Sequence, residues 1–120
     1  MQSVSGSTGA NNVAIGTDTL FANTSGSSNV AIGPSTLRDN TSGKQNVGIG
    51  NVALYENITG SDNIAIGLDS LRNNTTGQYN VAIGYEALET GVTTQYNIAM
   101  GYQAGSGILS GGNVVIGYRA

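Results

Sequence analysis

The chain has 120 residues, of which only 9% are charged and 19 are Gly, and its net charge is −3. That charge content is too low for a segment kept soluble by disorder, and low for an ordinary enzyme, where about a quarter of residues are charged. Four scattered cations (Arg38, Lys44, Arg72 and Arg119) exclude the basic stripe that nucleic acid requires, and with no His and no Cys the commonest metal ligand, general base and covalent staple are all missing.

In chain order, residues 1–11 form a polar lead segment rich in Gly and Ser, without the apolar stretch of a signal peptide. No later run approaches the ~20 apolar residues of a membrane helix, so membrane insertion is not expected. From Asn12 the sequence repeats itself. Asn-Val-Ala-Ile-Gly, or a near variant, begins at Asn12, Asn29, Asn46, Asn63, Asn80, Asn97 and Asn113, at five intervals of 17 residues and one of 16. A fixed short period of this kind marks a solenoid, here residues 12–120. The unit reads N-[VI]-A-I-G-x-x-x-L-x-x-N-T-[ST]-G-x-x, with its Leu at Leu20, Leu37, Leu54, Leu71 and Leu88 and its second Asn at Asn23, Asn40, Asn57 and Asn74.

Within each unit, β-branched residues two apart predict a short strand, and the Gly that follows frees the backbone to turn. A second short extended segment is expected to carry the Leu, and Asn-Thr-[Ser/Thr]-Gly a second turn. Two strands and two turns per 17 residues make one coil of an all-β parallel solenoid. Seven coils at roughly 4.8 Å each give a body about 34 Å long. The leading Asn residues should stack as a ladder, exchanging amide hydrogen bonds from coil to coil. Between Val and Ile stands a tiny residue: Ala14, Ala31, Gly48, Ala65, Ala82, Ala99, then Val115. A solvated face would admit Thr, Lys or Glu, so this file is expected to be a subunit interface. The alternative is that it points into a narrow solenoid and the Val and Ile files form the interface instead.

Tyr85, Tyr102 and Tyr118 follow the turn Gly in three successive coils, and Tyr79 and Tyr96 precede the repeat Asn in two. Both sets should stack, either to bind cell-surface carbohydrate through ring faces and hydroxyls or simply to stabilise the C-terminal coils. Asn23, Asn40, Asn57 and Asn74 each open an Asn-x-[Ser/Thr] triplet, which turn chemistry explains without a glycan. Thr and Ser at the same turn suggest an ice-binding file, but Ile58 and Val92 interrupt it. Glu86 and Glu89 are the closest pair of carboxylates for glycan hydrolysis, with nothing in the pattern to single them out. No cofactor is implied.

Asn-Val-Ala-Ile-Gly followed by a Leu-bearing stretch and a Gly turn resembles the head repeat of trimeric autotransporter adhesins. The longer unit, with Ala-Leu as at Ala87-Leu88 and Asn-Thr-Thr-Gly as at residues 74–77, is similar to repeats in phage tail-fibre and tailspike proteins. The resemblance implies a left-handed parallel β-roll, three chains side by side, and a fibrous body outside the cell, at its surface or on a virion tail. The adhesin repeat is usually shorter, so the Asn-Thr-[Ser/Thr]-Gly turn is an extension of it. The expected function is therefore a structural and adhesive fibre segment, not an enzyme. A self-assembling extracellular filament subunit is the alternative, since the eleven residues before Asn12 and the eight from Asn113 together come close to the length of one repeat. A tailspike-like glycan hydrolase is the third.

Overall fold

Each β-branched triplet of the repeat forms a strand: β1 Val13–Ile15, β2 Val30–Ile32, β3 Val47–Ile49, β4 Ile64–Ile66, β5 Val81–Ile83, β6 Ile98–Met100 and β7 Val114–Ile116. They pair in parallel and in chain order as one seven-stranded sheet, each residue opposite its equivalent one repeat away. Register is thus the repeat itself. These relations come from a computed structural model describing residues 8–120; the start of the lead segment, residues 1–7, lies outside the described residues. The body measures 42 × 22 × 17 Å. No helix long and apolar enough to cross a membrane occurs among the described residues.

The coil has one strand, not two. The Leu-bearing segment carries left-handed residues at every second position, as at Gly33 (φ 126°), Ser35 (φ 56°) and Leu37 (φ 50°). This alternation rolls the chain around too tightly for a second extended strand. It still bonds its neighbours: Ser35 N–H donates to the Thr17 carbonyl (2.8 Å) and Leu37 N–H to the Ala53 carbonyl (3.0 Å). A left-handed Leu costs about 1–2 kcal/mol. Full burial of its side chain returns about 1.5–3 kcal/mol, and Leu37, Leu54, Leu71 and Leu88 are all fully buried. Gly at the strand's end is required on two counts. Its φ is positive, and a Cβ on Gly33 would lie 2.9 Å from the Gly50 carbonyl of the next coil.

The small-residue file is core, which corrects the expected subunit interface. Ala31, Ala65, Ala82 and Ala99 are fully buried within one chain, with Ala14 packed against the same cluster, and they share it with the Leu file and with Ala53, Ala87 and Ala104. The interior is too narrow for two large files, so a methyl group must face each Leu. At Gly48 even that is excluded, because a Cβ would come within 2.7 Å of Thr36 Cγ2.

Two Asn ladders tie the coils together. In the first, Asn29 donates its N–H (2.9 Å) and its Nδ2 (3.2 Å) to Asn12 Oδ1, and the same pairing continues through Asn46, Asn63, Asn80 and Asn97 to Asn113. The other amide hydrogen crosses the coil to a turn carbonyl, as from Asn29 to Gly43 (2.9 Å). In the second, Asn40 donates to Asn23, Asn57 to Asn40 and Asn74 to Asn57, at 2.7–2.9 Å. Buried polar groups must be paired, and the in-register stack lets one residue type pair with itself.

Candidate functional site

Because Asn and Ala point inward, the Val and Ile on either side of each Ala point out. The strand face therefore carries two apolar files. Val13, Ile15, Ile64, Ile98, Met100, Val114 and Ile116 are exposed, and Val30, Ile32, Val47, Ile49, Ile66, Val81 and Ile83 are half-buried. No charged side chain interrupts either file.

The two Tyr files flank this face in the C-terminal coils. Tyr79 and Tyr96 stack at 5.1 Å between ring centroids and 8° between planes. Tyr85, Tyr102 and Tyr118 form a three-ring column at 5.0 and 5.2 Å. The ring of Tyr102 is thus covered on both faces by its neighbours, while Tyr79, Tyr96, Tyr85 and Tyr118 each have one stacked neighbour. Tyr79 (φ 58°) and Tyr96 (φ 60°) also hold a left-handed conformation, which is unfavourable for a bulky residue. Asn11, Ser28 and Asp62 fill that position in other coils, so Tyr is kept there at a conformational cost.

Glu86 sits at the foot of the column. It accepts a hydrogen bond from Gln103 Nε2 (2.5 Å), and that bond and one from the Tyr85 hydroxyl hold its carboxyl below the usual range. The same contact pushes the Tyr85 phenol up to about 12. Glu89 is shifted upward by burial and by repulsion from Glu86 and Asp69. Opposed shifts of two carboxylates are what acid–base pairs use, but here each has a local structural cause, and Glu86 is already engaged on two sides. Among the described residues no three acidic side chains gather as a metal site.

A third file escaped sequence analysis. Arg38 lies between Phe21 and Tyr55, one coil away on each side, with its guanidinium 5.2 and 5.7 Å from the two ring centroids. It also pairs with Asp39 at 2.9 Å. The signal was available, since the three residues are spaced by 17 like everything else in the chain.

On the turn side, Asn23, Asn40, Asn57 and Asn74 are each buried with the side-chain amide donated to the turn Gly carbonyl. A glycan has no access to these four in the folded coil. The Thr file is likewise committed to its own backbone, with Thr41 Oγ1 donating to the Ile58 carbonyl and Thr75 Oγ1 to Val92 (both 3.1 Å). The second Asn ladder stops at Asn74, because Gly91 stands where the next Asn would be and Thr94 where the next Gly would be. Asn74 Oδ1 and Thr94 Oγ1 are both buried without a partner.

Compared with known proteins, the chain has no match: no family model, no curated protein and no solved structure is similar to it.

Proposed function

We propose that the chain is a rigid segment of an extracellular fibre, of the kind built into phage tail fibres and bacterial surface adhesins, in which three solenoids lie side by side. The observation that supports this reading is the strand face, with its two unbroken Val and Ile files. Three strand residues at ~3.3 Å each, across seven strands about 4.8 Å apart, make an apolar strip on the order of 300 Å² before the Tyr files are added. The largest apolar patch on a soluble monomer is of this order and is often functional, and here it is a regular, uncharged strip. A second copy of the same chain offers a strip of the same length, spacing and lack of charge. Attachment to cell-surface carbohydrate then falls to the exposed Tyr rings beside the contact.

The test is molar mass by light scattering over a concentration series, for the wild type and for Ile66→Glu. Ile66 points out of the coil, so this substitution leaves the coil's interior intact. The expected result is a fixed mass of three chains for the wild type, and a folded single chain for the variant. A mass that climbs with concentration would favour end-to-end stacking into a filament. A wild-type monomer would sink the proposal.

A further inference from the structure

Five of the six tyrosines stand in two columns whose rings are 5.0–5.2 Å apart and within 15° of parallel. We propose that these columns are oxidative cross-linking sites, at which dityrosine bonds staple successive C-terminal coils together. The chemistry needs two phenols held side by side and open to an oxidant. Tyr79, Tyr96, Tyr102 and Tyr118 are all exposed.

A haem peroxidase with hydrogen peroxide takes one electron and one proton from each of two phenols. Each phenoxyl radical carries spin on the ring carbons ortho to oxygen. Coupling forms one carbon–carbon bond, and each ring regains aromaticity by moving its ortho hydrogen to oxygen. The two electrons and two protons reduce the peroxide to two waters. Coupling is second order in radicals for free chains, and holding the partners together makes it effectively unimolecular.

Location supports the assignment. The columns occupy the coils where the second Asn ladder has ended, and where Gly105 stands in place of the Leu. With no Cys, the chain has no disulfide chemistry with which to tie these coils. The strained backbone at Tyr79 and Tyr96 holds this pair in line at a position that smaller residues fill elsewhere.

The experiment is peroxidase and hydrogen peroxide treatment of the dilute native chain, followed by digestion with a Glu-specific protease and tandem mass spectrometry. Cleavage after Glu56, Glu86 and Glu89 leaves Tyr55 in one peptide, Tyr79 and Tyr85 in a second, and Tyr96, Tyr102 and Tyr118 in a third. Expected are links, each lighter by two hydrogens, between Tyr79 and Tyr96 and within the Tyr85–Tyr102–Tyr118 column, with Tyr55 unlinked. Tyr96→Phe keeps the stack but removes the first link and leaves the second. Oxidised chains in which Tyr55 takes an equal share, or in which no ladder pair is joined, would overturn the proposal.

Discussion

The break in the second Asn ladder gives a quantitative test of how the coils are held. In the four coils from Asn12 to Tyr79, Asn and Gly three residues apart form a unit: the Asn amide reaches the Gly carbonyl and, at Asn40, Asn57 and Asn74, the preceding Asn as well. In the next coil the pair is reversed in kind, with Gly91 and Thr94. A Cβ on Gly91 would lie 2.6 Å from Thr94 Oγ1, and one on Gly77 would lie 2.2 Å from Asn74 Oδ1. Asn at the first site and a side chain at the second therefore exclude each other. Gly91→Asn combined with Thr94→Gly restores the unit. The new amide gains the Asn74 acceptor and the residue 94 carbonyl, and the orphaned Thr hydroxyl is gone. Two hydrogen bonds at about 0.5–1.5 kcal/mol each are set against an orphaned Oδ1 now one coil further on, beside the exposed residues Leu109 and Ser110 that water reaches. The net expectation is about 1–2 kcal/mol of added stability, measured as a shift of the urea midpoint followed by circular dichroism. Gly91→Asn alone should destabilise, because the amide meets Thr94. A double-mutant cycle in which the two changes add within about 0.5 kcal/mol would refute the mutual exclusion.

Two further outcomes follow from the packing and the electrostatics. Ala65→Glu puts an unpaired carboxylate into a site with no solvent exposure and should cost about 3–5 kcal/mol, read as loss of the folded chain itself and not merely of its assembly; a folded variant that stays monomeric would restore the small-residue file as an interface. Tyr85 has a folded-state value raised from 10.0 to about 12, so its contribution to stability is complete below pH 10 and lost between pH 10 and 12. Tyr85→Phe should remove this share of the alkaline decline in thermal midpoint, and an unchanged pH profile would show that the Glu86 contact does not form.

The period, the strand, the Leu file and the Asn stack are legible in the sequence because each rests on local chemistry repeated at a fixed interval. Which side of the strand faces inward was harder to read. Alternation at Val-Ala-Ile shows two faces but does not name them, and a tiny residue suits a tight interface as well as a tight core. A clue lay two residues earlier. The leading Asn and the Ala share a face, so an Asn ladder shielded from water already places the Ala inside. The left-handed Leu was not legible at all. Leu has no preference for that conformation, and the position two before it holds Asp18 and Ser35 in some coils but Val52 and Glu86 in others. Only the closed coil, with its neighbours on both sides, imposes it.

The two sides of the solenoid differ in how they tolerate change. On the turn side, the last coils are rebuilt: Gly105 replaces the Leu, and Ile108 folds in from the turn, its Cδ1 3.1 Å from where a Cβ on Gly105 would stand. The Asn-Gly unit becomes Gly-Thr, and the interval shortens to 16 residues. On the strand side nothing comparable happens. The first Asn ladder runs unbroken to Asn113, the strands keep register to β7, and the outward files stay apolar throughout. Coil stability alone does not require this asymmetry, since the rebuilt turns are filled by other side chains. Strand preference favours Val and Ile at these positions, and the side-by-side fibre proposed above would add a second reason for uniformity, since a partner with the same coil spacing meets the file at every step.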